Sequence, residues 1–365
     1  MRIDGSVLRL SAATIRKVAA ALIALWCASP AQAGDACTPR LLASFDMTPA
    51  HGGGYAIPVG INGQPYKFIV QTSQPYSFVF DTFVSAADLR KLPVNPDMVI
   101  NMGGETVTDY VHVDELALGI NKGTHVSMLV THGIGHGDTD VAGIIGTDLL
   151  ENFDVEIDYK ARKLNLFAAN PCDGRGVYWD THYAQLPITR DHQGQMTVPM
   201  TLDGKPVSVM FNSIAGGSTM ESNIAKARFG LAPPPVPHQA PPPGRDEERH
   251  QADRPDSSQT PADSSDDGQT QAATRLANGS EHRFNSLDGD GLSISKPLVR
   301  FFGDPDAPPC DGTRRNISHS IYTGIVDEIC YPSADLSLGL PAMEQLHLYF
   351  AYKAGKLYFT AASAP

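Results

Sequence analysis

The chain has 365 residues and carries a net charge of −12, with 40 acidic against 28 basic side chains. So acidic a balance argues against a nucleic acid or an anionic membrane surface as its partner. Hydrophobic residues make up 42% of the chain, as in a globular protein.

Arg2, Arg9, Arg16 and Lys17 precede an apolar stretch from Val18 to Trp26, and small residues follow up to Ala31-Gln32-Ala33. A basic region, a short apolar core and an A-x-A site describe a secretory signal peptide over residues 1–33. The apolar stretch is too short to span a bilayer, which leaves an uncleaved anchor as the weaker reading. Trp26 stands before Cys27, where lipoprotein processing needs a small residue. Cleavage would leave a chain beginning at Gly34, periplasmic or secreted, with no membrane attachment. About 330 residues would remain, enough for two domains.

Cys37, Cys172, Cys310 and Cys330 lie beyond that leader. An even count in an oxidising compartment points to two disulfides, and four cysteines allow three pairings. Cys37–Cys172 with Cys310–Cys330 is favoured, because each pair then stays within one half of the chain. The spacing contains no C-x-x-C, so a zinc site has little support.

Long helical patterns are scarce. Short apolar runs such as Lys67-Phe-Ile-Val70, Leu164-Asn-Leu-Phe167 and Leu346-His-Leu-Tyr-Phe350 are bounded by Gly, Pro, Asn and Asp. This predicts short strands joined by turns, a mainly β chain.

An internal repeat organises those strands. Ile57-Pro-Val-Gly-Ile-Asn-Gly-Gln-Pro-Tyr-Lys-Phe-Ile-Val-Gln71 aligns without a gap to Val198-Pro-Met-Thr-Leu-Asp-Gly-Lys-Pro-Val-Ser-Val-Met-Phe-Asn212. Asn62-Gly63 and Asp203-Gly204 are hairpin signals, so each copy reads as strand, tight turn, apolar strand and a polar end. Ser77 and Ser218 each lie 6 residues beyond that end. A second pair of segments repeats as well. Gly143-Ile-Ile-Gly146 matches Leu336-Ser-Leu-Gly339, with Tyr159 and Tyr352 each 13 residues after the glycine. The second copy is longer by a segment at about 232–280. Its Pro233-Pro-Pro, Pro241-Pro-Pro and Asp263-Ser-Ser-Asp-Asp267 hold few large apolar groups. Such a composition cannot offset the entropy of ordering, and a disordered insert is expected.

In order and spacing these four motifs resemble the retropepsin-like aspartic proteases, in the tandem form found in bacterial exported proteins. The resemblance covers nearly all of the chain beyond the leader apart from the insert. It implies an all-β, two-lobe fold made by duplication, with lobes at 34–180 and 181–365. It places the two aspartate positions at Gln71 and Asn212, in triplets Gln71-Thr72-Ser73 and Asn212-Ser213-Ile214. It also implies hydrogen bonds across the lobe interface from Thr72 and Ser213, and a flap tip at Met102-Gly-Gly-Glu105 with a counterpart at Asn278-Gly-Ser-Glu281.

The departures from the family pattern bear on chemistry. Aspartic proteolysis needs two crowded carboxylates that share one proton, one acting as base and one as acid. Carboxamides do not titrate in that range, so no catalytic pair is intact. Ser73 is a mild change from the family glycine. Ile214 brings a β-branched side chain to the centre, where it is expected to distort the loop or fill the space a water would take.

Other constellations read more simply as structure. His132-Gly-Ile-Gly-His136-Gly-Asp138-Thr-Asp140 is expected to be a solvated loop, and Asp288-Gly-Asp290-Gly a turn, because Val299 occupies the place of the calcium-loop Glu. Ser218 lacks a G-x-S-x-G frame. Neither a metal nor a cofactor is expected. The leading expectation is a non-catalytic relative whose inter-lobe groove holds an extended peptide or a small ligand. The alternatives are an endopeptidase with displaced carboxylates, Asp81 first among them, and an interaction protein acting through the insert.

Overall fold

The computed structural model describes residues 39–51, 53–95, 100–102, 105–131, 140–169, 177–191, 194–231, 280–308, 310, 315–320, 324–329 and 333–362. The leader, Cys37, Cys172, Cys330, the loop 132–139, the insert 232–279 and the tip Gly103-Gly104 lie outside them. Among the described residues no helix is long and apolar enough to cross a membrane.

The repeated hairpins form as their turn residues require. Asn62 and Gly63 have φ of 50 and 81, and Asp203 and Gly204 have 47 and 78. Two successive positive φ values are what a two-residue turn with the twist of the flanking strands demands. The turn side chains then reach a third strand. Asn62 Oδ1 accepts from Glu115 N at 3.0 Å, and Asp203 Oδ1 accepts from Asn285 N and Ser286 N at 2.7 and 2.9 Å. Each hairpin is thereby fixed in register against its own sheet.

In the first lobe, strands Tyr55–Ile61 and Gln64–Val70 pair antiparallel. Strand Val141–Ile145 lies between Gln64–Val70, to which it is parallel, and Phe78–Phe80, to which it is antiparallel. Asn121–Thr131 and Asp109–Leu118 extend the sheet, and Leu116 and Ala117 return to pair with Gly60 and Ile61. The second lobe repeats this order. Leu336–Gly339 sits between Lys205–Asn212, parallel, and Ser218–Glu221, antiparallel. Leu298–Phe302 runs parallel to Ser218–Glu221. The chain thus has the duplicated, two-lobe, all-β architecture that the repeat predicts.

A third sheet joins the lobes. Its six strands run in the order Leu41–Asp46, Lys163–Ala168, Phe153–Asp158, Leu346–Ala351, Lys356–Ala361, Ala184–Pro187. The junction is the antiparallel pair Phe153–Asp158 with Leu346–Ala351, where Glu156 lies opposite Tyr349. Each of these two residues follows its lobe's glycine, Gly146 or Gly339, by 10 positions, so the approximate twofold passes between them. Val155, Ile157, Leu348 and Phe350 are buried in one continuous core that also includes Val70 and Phe211. Burying such a side chain fully contributes about 1.5–3 kcal/mol, and the shared core ties the lobes together.

Candidate functional site

The parallel pairing of each hairpin's second strand with the central strand delivers its terminal residue to the lobe interface. Gln71 follows strand Gln64–Val70 and donates its N–H to Ile145 O at 2.9 Å. Asn212 ends strand Lys205–Asn212 opposite Gly339. The two amides meet: Gln71 Nε2 donates to Asn212 Oδ1 at 2.9 Å. Gln71 is 5% exposed. Its Oε1 accepts from Ser213 N at 3.3 Å, and Asn212 Nδ2 donates to Ser337 Oγ at 3.4 Å. None of these amide hydrogen bonds among the described residues goes to a carboxylate.

The hydroxyls beside the amides cross the interface in both directions. Thr72 Oγ1 donates to Phe211 O at 2.8 Å, and Ser213 Oγ donates to Val70 O at 2.7 Å. Thr72 N donates to Ser213 Oγ at 3.2 Å. Thr72 and Ser213 are both buried, where such bonds lose little to competing water. Below them Tyr352 donates to Thr72 O at 3.4 Å. Burial pushes the Tyr352 phenol well above its ordinary pKa, so it stays a donor.

Close backbone approach explains the glycines of the second motif. A Cβ on Gly146 would meet Tyr76 O at 2.5 Å, and one on Gly339 would meet Gly217 C and O at 2.3 Å. Both glycine N–H groups are satisfied by the repeated serines, Gly146 N by Ser77 Oγ at 2.8 Å and Gly339 N by Ser218 Oγ at 3.1 Å. Ser77 in turn donates to Asp148 Oδ1 at 2.5 Å. Burial is the largest influence on the Asp148 carboxyl and lifts its pKa, against the hydrogen bonds from Ser77. Position 341, its counterpart, is Pro.

Ile214 takes up space on the first lobe's side. A Cβ on Gly54 would stand 3.1 Å from Ile214 Cγ2, and Ile214 packs on a small apolar cluster that includes Ala56, Ile69 and Phe78. Beside it, Ser213 makes its hydrogen bonds across the interface. Ser73 is buried, with Oγ 3.5 Å from Gln71 Oε1. Asp81 is not brought to this centre. It opens the short helix Asp81–Ala86 and pairs with Lys91.

The residues just past Asn212 open onto a cavity. Ala215, Gly216, Gly217, Ser218 and Thr219 line a space of ≈ 550 Å³ together with strand Glu281–Arg283 and the turn Ser295–Leu298. A Cβ on Gly216 or Gly217 would meet nothing within 4 Å, so the side-chain side of both residues is open to the cavity. In the first lobe, strands Ile100–Met102 and Glu105–Val107 pair as the hairpin expected for a flap, with Met102 opposite Glu105. Of the proposed counterpart, Ser280 and Glu281 are described, and Glu281 begins a strand against Arg300. Asp290 and Gly291 form a hairpin turn before Leu292–Ser295. Of the four cysteines, Cys310 is among the described residues and lines a second cavity, of ≈ 410 Å³, beside the helix Ser222–Phe229.

Residues 57–149, which carry Gln71, Ser77 and Gly146, match the aspartyl protease family. That segment is aspartyl-protease-like. Among solved structures the chain is similar to a retropepsin-like aspartic protease from Rickettsia conorii, at 18% identity over 34% of this chain and 90% of that one, with a TM-score of 0.24. It is also similar to conglutin gamma from lupine seeds, at 9% identity, 90% and 96% coverage and a TM-score of 0.43. Basic 7S globulin from soybean is matched at 11% identity, 90% and 95% coverage and a TM-score of 0.42. No curated protein matches the chain by sequence.

Sequence reasoning located the amides but missed that they bond to each other. The signal was present: a Gln and an Asn at equivalent repeat positions form a complementary donor and acceptor. The cavity past Asn212 was also missed, because its walls come from segments distant in the chain.

Proposed function

We propose that this aspartyl-protease-like chain is an exported, non-catalytic binding protein, which holds an extended peptide beside the amide pair at the lobe interface. The observation that carries the reading is the Gln71–Asn212 hydrogen bond. An active pair needs a proton to hold two carboxylates together and a base to deprotonate water. Here two neutral amides satisfy one another with no titrating proton, and neither can take one from water. Asp81, ten positions past Gln71, is committed to Lys91, and Asp148, two past Gly146, to Ser77. Meanwhile the cross-interface hydrogen bonds that hold the two loops persist, and the side-chain side of Gly216 and Gly217 is open. An extended peptide laid in that space would bind by strand-like pairing. Support for export comes from the basic-apolar-small pattern of residues 1–33.

The test is digestion of a denatured protein substrate across the acid range by the purified chain lacking residues 1–33, beside the variant Q71D/N212D. The unmutated chain is expected to cleave nothing. Cleavage that persists through further purification overturns the reading. Acid activity gained only in the variant would locate the silence in these two side chains.

A further inference from the structure

The cavity past Asn212 has an electrostatic character opposite to that of the whole molecule. Arg283, Lys296 and Arg300 line it, against one acid, Glu281. Glu281 is already engaged, since its Oε1 accepts from Arg300 Nη2 at 2.8 Å and from Nε at 3.1 Å. Arg283 Nη1 donates to Lys296 O at 3.0 Å, which uses one of five guanidinium N–H groups and holds the head near the turn. No carboxylate among the described residues pairs with the Lys296 ammonium or the Arg283 guanidinium. In a chain of net charge −12, two cations at one cavity with no carboxylate partner among the described residues are a local reversal of field, which concentrates anions there.

The floor adds backbone. A side chain on Gly216 or Gly217 would meet nothing within 4 Å, so there is room for a ligand over both residues, four and five positions beyond Asn212. We infer that this cavity is a specificity subsite for an acidic peptide: the peptide's main chain lies along Gly216-Gly217 while a carboxylate side chain is held by Arg283 and Lys296. The inference rests on the peptide-binding reading above and adds the chemical class of the peptide. Arg supplies a planar fork that matches a carboxylate, and Lys a point charge beside it.

The test uses the chain lacking residues 1–33 and two fluorescently labelled peptide pools, randomised except for two adjacent fixed positions, which are Glu in one pool and the isosteric Gln in the other. Fluorescence anisotropy is expected to show the Glu pool binding about tenfold tighter, since hydrogen bonds to charged groups exceed neutral ones by about that factor. The preference is expected to shrink as salt rises, because the cations are exposed. In R283Q/K296Q the preference for the Glu pool is expected to disappear, and a circular dichroism spectrum and urea midpoint equal to the parent's show that the variant is folded. Equal binding of both pools by the unmutated chain overturns the acidic subsite and leaves the peptide-binding reading standing. Binding of neither pool, with free N-acetylglutamate still shifting the NMR signals of Gly216 and Gly217, overturns peptide binding and keeps the anion site. No binding of any of these probes overturns both.

Discussion

At the residue scale, the centre of the molecule is a set of polar groups that satisfy one another across the interface. Thr72 illustrates what each is worth. Its hydroxyl donates to Phe211 O from a fully buried position. Thr72→Val keeps the shape and removes the donor, leaving a buried carbonyl short of a partner. The expected cost is about 1–3 kcal/mol, read as a lower urea midpoint with an unchanged slope. A variant as stable as the parent would show that these crossing bonds do not hold the lobes together. The residue types at 71, 72, 212 and 213 were all legible in the sequence through the repeat. Their mutual geometry was not, because a hydrogen bond between residues separated by 141 positions depends on how two hairpins meet.

At the level of elements, the hairpins were the most legible part of the fold. Asn-Gly and Asp-Gly between apolar runs admit few other conformations, and both turns form with the positive φ they imply. Strand Phe153–Asp158 was harder to read. Its Glu156 looks misplaced in an apolar segment, yet it is 2% exposed. It accepts from Tyr178 Oη at 2.9 Å and Asn165 Nδ2 at 2.9 Å, and His347 Nε2 is 2.8 Å from its other oxygen. Trp179 stacks on the His347 ring with centroids 3.9 Å apart, closing the cluster from solvent. The partners come from three separate segments, so no local pattern announces them. His347→Leu is expected to destabilise by about 1–3 kcal/mol, since it leaves a buried carboxyl oxygen without its hydrogen-bond partner. The double variant E156L/H347L is expected to recover most of that loss, because two apolar groups restore a satisfied interior. Chemical denaturation of the single and double variants checks both, and a double variant no better than the single would mean that packing, not the carboxyl, dominates.

For the whole molecule, duplication was legible and its physical consequence was not. The repeat shows two lobes, but it does not show that three strands from each half join edge to edge into one sheet. Phe153–Asp158 pairs with Leu346–Ala351 along its length, and Val155 and Phe350 are buried in a core that reaches into both lobes. Opening one lobe alone would expose that strand edge and leave Glu156 without His347. The lobes are therefore expected to melt as a single unit, although each has a sheet of its own and the chain is long enough for two domains. Scanning calorimetry of the chain lacking residues 1–33 should give one transition, with a calorimetric enthalpy close to the van 't Hoff value. Two resolved transitions would mean that the six-stranded sheet is a contact between independent domains. The amide pair would then sit at a movable interface, and peptide binding would have to order that interface as well as fill it.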